Sequence, residues 1–130
     1  MNWHRVVAVY ALAAGAAILG LWTVLVMTEQ VTELRTEPFS MFTHLVAEGF
    51  TAVTLLSAGL GLLRRKEWAQ PLCLVGFGML LYSVINSAGY YAQLGQVGAM
   101  AVFSALALTT VVALGWVLVD ARQRRRRASW

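Results

Sequence analysis

Apolar positions in this chain come in long runs rather than in alternation. Residues 6–27, 42–63, 69–91 and 97–119 form four such runs, of which only the second, with Glu48, contains a charged residue. Each is about 22 residues long, and a helix rising about 1.5 Å per residue needs about 20 to cross the hydrocarbon of a bilayer. The pattern predicts an all-α fold, an integral membrane four-helix bundle in a single domain over residues 1–130. Residues 120–130 form a basic tail. The first run, VVAVYALAAGAAILGLWTVLVM, is longer than the apolar core of a signal peptide, and its Ala14-Gly15-Ala16 falls mid-run. It reads as an uncleaved first helix.

The connections predict the orientation. The first, TEQVTELRTEPFS, sets Glu29, Glu33 and Glu37 against Arg35. The second is RRKEW, the third is the uncharged AQLGQ, and DARQRRRRASW follows the last helix. Lys and Arg resist translocation, so the N-terminus, RRKEW and the tail are expected on the cytoplasmic side of a plasma (inner) membrane. Both termini are then inside, and an even number of spans agrees by putting them on the same side. Trp3, Trp68 and Trp116 fall near the inner interface, and Phe39, Tyr90 and Tyr91 near the outer one, as aromatic anchors do. Glutamates every four residues suggest a short surface helix in the first connection, ended by Pro38.

Composition agrees. The chain is 59% hydrophobic and 12% charged, against roughly 25% charged for soluble domains. Small residues, Ala13, Ala14, Gly15, Ala16, Ala17 and Gly20 with the spacing Ala16-xxx-Gly20, then Ala58, Gly59, Gly61, Gly76 and Gly78, would allow close helix packing where hydrophobicity cannot drive association. The same faces could meet a second copy or a partner membrane subunit. Cys73 is the single cysteine; it reads as a small apolar residue.

One feature resists a purely structural reading. The stretch FTHLVAEGFTA places His44 and Glu48 four residues apart on one helix face, with Thr51 extending it. Glu48 lies about six residues into the apolar run, or roughly 9 Å along the helix. The predicted orientation brings polar residues of the other helices to the same outer level: Trp22 and Thr23, Ser83, Asn86, Ser87 and Tyr90, and Ser104. A carboxyl group at this depth pairs, protonates or meets water. His44 is its expected partner, with Asn86 and Tyr90 as donors. The layer is either hydrogen-bonded glue between helices or an outward-facing pocket for a small or lipidic ligand lined by His44, Glu48, Asn86, Tyr90, Thr51 and Thr23.

Other chemistry finds little footing. Cys/His spacing fits no zinc site, and His4 and His44 fall on opposite sides, which excludes a haem held by both. Asp120 is too far from His44 for a hydrolytic triad. The arginine tail is explained by orientation and by anionic lipid headgroups rather than by nucleic acid. Nothing in the residues selects a cofactor.

The stretch HLVAEGFTAVTLLSAGLGLLRRKEWAQPLCLVGFGMLLYSV, His44 to Val84, resembles the DoxX-like families of small four-helix membrane proteins. The resemblance lies in the intramembrane Glu, the Gly-Leu-Leu exit into a basic turn, and a Gly-bearing third helix. The Lys that follows helix one in those families has no counterpart. The resemblance implies an inner-membrane protein, in some cases a subunit linked to quinone or sulfur redox chemistry, and it carries over Glu48 alone.

The expected function is therefore binding of a small or lipidic ligand, such as a quinone, or an accessory role in a membrane complex. The alternative is a membrane enzyme or a proton-coupled carrier in which His44 and Glu48 exchange protons.

Overall fold

The computed structural model describes residues 2–129 and contains five helices. They are α1 (Trp3–Met27), α2 (Glu33–Thr36), α3 (Pro38–Leu63), α4 (Ala69–Gln93) and α5 (Val97–Ala128). The four long helices are each long and apolar enough to cross a membrane. They run up and down in sequence, so that α1 packs on α3, α3 on α4, and α4 on α5. One end of the bundle gathers Arg5, the RRK turn and the arginines of α5. The opposite end carries α2 and the glutamates around it. These are called the basic end and the acidic end.

Two boundaries differ from the hydropathy pattern. The helix α3 starts at Pro38 rather than Phe42, because proline at the first helical position has the φ a helix needs and lacks an N–H that would go unbonded anyway. The helix α5 continues through the arginines to Ala128. Arginine is a good helix former, positive charge suits a helix C-terminus, and Asp120 pairs with Arg124 one turn on at 2.7 Å. The surface helix of the first connection shrinks to the single turn α2.

Three connections leave their helices by the same turn. After α1, α3 and α4 the residue in left-handed conformation is Glu29 (φ 54°), Arg65 (φ 53°) and Gly95 (φ 69°). In each, two N–H groups reach back to the last turn: Arg65 to the Leu62 carbonyl and Lys66 to the Gly61 carbonyl at 3.1 and 2.9 Å. This is the Schellman motif, in which glycine is the usual left-handed residue. Only Gly95 is free of the Cβ penalty, roughly 1 kcal/mol. Glu29→Gly is accordingly expected to raise stability by about 0.5–1 kcal/mol, read as a higher Tm in detergent; its exposed pair with Arg35 at 3.3 Å offsets little of that.

The core is weighted toward the basic end. Val7, Ala8 and Ala11 of α1, Leu55, Ala58 and Leu62 of α3, Cys73, Phe77 and Leu80 of α4, and Ala113 and Val117 of α5 are buried together. The α1/α3 contact is reciprocal. A Cβ on Gly15 would stand 2.9 Å from Leu56 Cγ and 3.0 Å from the Ala52 carbonyl oxygen, and one on Gly59 would stand 2.7 Å from Leu12 Cγ and 3.0 Å from the Ala8 carbonyl oxygen. The Ala16-xxx-Gly20 pair that the sequence suggested for packing lies elsewhere on the helix. Gly20, like Gly78, has nothing within 4 Å of its Cβ position. The two pairs at the contact are seven residues apart on each helix, which keeps them on one face.

The seam between α1 and α5 is looser, and polar side chains bridge it. The Tyr10 hydroxyl lies 2.9 Å from Thr109 Oγ1 and 2.7 Å from Thr110 Oγ1. At the basic end Arg124 Nη2 donates to His4 Nε2 at 2.8 Å.

Candidate functional site

Glu48 lies ten residues beyond Pro38, about 15 Å along α3 rather than the 9 Å expected from the apolar run. Its side chain points inward and is only 7% exposed. Both carboxyl oxygens accept. Ser83 Oγ of α4 donates to Oε1 at 2.5 Å, and Trp22 Nε1 of α1 donates to Oε2 at 3.4 Å. One carboxyl group thus ties α3 to both neighbours. A carboxylate offers about four lone-pair positions, so these two donors leave acceptor capacity.

His44, one turn toward the acidic end, does not reach Glu48 by a hydrogen bond among the described residues. Its ring stands edge-on to Trp22, with centroids 5.4 Å apart. Trp22 is therefore the shared element, bonded to Glu48 through its N–H and packed on His44 through its ring. Thr51 is buried on the same face, but its hydroxyl donates to the Ala47 carbonyl of its own helix at 2.9 Å. Thr23 is exposed and bonds the Leu19 carbonyl at 2.6 Å. Asn86 is exposed. The Tyr90 hydroxyl turns to the connection instead and donates to Glu33 Oε1 at 3.0 Å. The Glu33 carboxyl is held below the ordinary carboxylate range, first by its own backbone N–H and then by Tyr90.

Of the six residues expected to line one pocket, Glu48, Thr51 and His44 thus share a face of α3, while Thr23, Asn86 and Tyr90 are directed elsewhere. Trp22 and Ser83 take the place assigned to Asn86 and Tyr90 as donors. Both were legible as residues at the right level. Helical facing selects them, and that depends on crossing angles that hydropathy does not carry.

The basic end holds a second constellation that the sequence did not suggest. Gln70 Nε2 donates to Asp120 Oδ2 at 3.1 Å and to the Val117 carbonyl at 3.2 Å. Asp120 also accepts from Arg124, which reaches on to His4. The first turns of α1 and α4 and the end of α5 are joined by this chain. A cavity of about 590 Å³ opens beside it, with His4, Arg5, Arg65, Lys66 and Arg124 in its lining. A separate apolar groove of about 360 Å³ follows the α1/α5 seam past Tyr10 and Trp116. Among the described residues no group of three His, Cys, Asp or Glu side chains is placed to hold a metal ion.

No curated protein and no solved structure matches the chain. A family match does exist, and it spans residues 1–130. Over its whole length the chain thus belongs to the family described as Domain of unknown function (DUF8058).

Proposed function

We propose that this chain is a multi-pass inner-membrane protein, with both termini on the cytoplasmic side, that binds a small lipidic ligand through Glu48. The observation that carries the reading is a buried carboxyl group held by only two donors, from two different helices. Hydrogen-bonded glue between helices needs no carboxyl; a serine or asparagine would do it without the cost of burying an ionisable group. Glu48 has acceptor capacity left for a ligand hydroxyl or amine, and a quinol headgroup fits that requirement. His44 and Trp22 lead from Glu48 toward the acidic end, the route by which a ligand in the outer leaflet would approach. The orientation rests on the basic end carrying nine of the ten Lys and Arg residues. The DoxX-like resemblance of His44–Val84 points the same way.

A carrier or enzyme in which His44 and Glu48 exchange a proton directly fits less well, because no hydrogen bond joins them among the described residues and each engages Trp22 instead. An accessory role, as a second copy or a partner subunit binding the broad apolar faces of α1 and α5, is compatible with ligand binding.

The test is gentle extraction of the full chain, then native mass spectrometry and an absorption spectrum. The expected result is a stoichiometric small lipidic molecule retained through washing. Bulk phospholipid alone, in amounts that fall with each wash, would contradict the reading.

A further inference from the structure

The cavity at the basic end has the features of a binding site, and it lies at the far end of the bundle from Glu48. From the structure we infer that it binds a phosphate-bearing anion, and that in the cell this anion is the headgroup of an acidic phospholipid. Three observations carry this.

The first is charge. Arg5, Arg65, Lys66 and Arg124 line the cavity, and among the described residues Glu67 is the one carboxylate in its wall. Asp120 engages Arg124 from beside it, so four cations face two carboxylates and an excess of positive charge remains. The cations come from α1, the α3–α4 turn and α5, elements that only the fold brings together.

The second is pre-organisation. Arg124 is held at 2.7 Å by Asp120, which Gln70 fixes in turn, and it donates to His4. Arg65 is held in left-handed backbone geometry by the turn that ends α3. A guanidinium held as Arg124 is matches phosphate oxygens in a fork geometry that a mobile tail cannot.

The third is the mixed wall. Leu62 and Leu63 line the cavity beside the cations. An ion with a purely hydrophilic shell gains nothing from them, whereas a phosphodiester joined to an acyl glycerol places its apolar part there. Basic pockets among helices at this level bind such headgroups, and a volume of about 590 Å³ is in the range of ligand sites.

The experiment uses the full chain in an uncharged detergent at physiological ionic strength. It is titrated with phosphatidylglycerol, with phosphatidylcholine and with inorganic phosphate. Native mass spectrometry counts adducts, and the rise in Tm reports binding to the folded state. Phosphatidylglycerol is expected to bind in preference to phosphatidylcholine. Arg65→Gly, which removes the cation and relieves the backbone, is expected to raise the Tm of the unliganded chain and weaken phosphatidylglycerol binding by about tenfold or more. Arg64→Ala and Arg127→Ala remove equal charge from outside the cavity and are expected to change it by at most about twofold. Equal losses for all three variants would reduce the effect to diffuse surface charge and overturn the site, as would the absence of any preference for phosphatidylglycerol. If inorganic phosphate binds with the same dependence on Arg65 and displaces the lipid, the anion site stands but its source is soluble, and the lipid assignment fails.

Discussion

Gly59→Leu should lower the stability of the bundle by about 1–3 kcal/mol, the range for forcing bulk into a packed contact. The physical reason is the close approach of α1 and α3. A single carbon at position 59 would already lie 2.7 Å from Leu12 and 3.0 Å from the Ala8 carbonyl oxygen. The leucine side chain can rotate away, but the backbone carbonyl cannot, so a larger group must push the helices apart. Gly15→Leu meets the same obstacle from the other side at Leu56 and the Ala52 carbonyl. Separation here also carries Trp22 away from Glu48, since both helices of that bond are the ones displaced. Gly20→Ala is the control. Its Cβ meets nothing within 4 Å, and replacing a helical glycine by alanine gains roughly 0.5–1 kcal/mol. Thermal unfolding in detergent, followed by circular dichroism, should therefore move in opposite directions for two glycines of similar appearance in the sequence.

The second large effect is expected at Glu48, and its sign carries the information. Glu48→Met replaces a buried ionisable group by an apolar one of similar length. Such replacements are often neutral or stabilising, because the cost of dehydrating the carboxyl disappears. The bonds lost are replaceable in part. Ser83 can turn its hydroxyl to a carbonyl of its own helix, as Thr23, Thr28 and Thr51 already do, and the Trp22 bond at 3.4 Å is long. The variant is expected to be as stable as the ligand-free natural chain or more so, by roughly 1–2 kcal/mol at most, and to lose the proposed ligand. Glu48→Ala, by contrast, leaves a void and should cost about 1–3 kcal/mol. A carboxyl retained where methionine would be more stable is a carboxyl kept for what it binds.

Much of this architecture is legible in the chain. Four uncharged or nearly uncharged runs locate the long helices, because length and hydropathy depend on no tertiary detail. Glu48 stands out for the same reason: a charge within such a run has few structural excuses. What hydropathy could not resolve is the rotation of each helix about its axis. That is why, among the small residues noted in the chain, Gly15 and Gly59 meet a neighbouring helix, at Ala52 and Ala8, while the Ala16-xxx-Gly20 spacing does not. It is also why Asn86 and Tyr90 stood in for Ser83 and Trp22. A rotation of one residue, about 100°, exchanges an inward side chain for an outward one without altering the run's hydropathy. The His4–Arg124 contact joins residues 120 positions apart, and only the closing of the bundle brings them together. The start of α3 at Pro38 and the extension of α5 through its arginines follow from local backbone preference, which a count of apolar residues does not register.

The central claim is that Glu48 serves a ligand rather than the fold. It is tested most directly by measuring the Tm and the content of retained small lipidic molecule together, on natural and Glu48→Met chains purified side by side and on the natural chain stripped of that molecule. A Tm equal to or above that of the natural chain stripped of the molecule, with the molecule lost, is the predicted result. A lowered Tm with the retained molecules unchanged would show that Glu48 holds helices and nothing else.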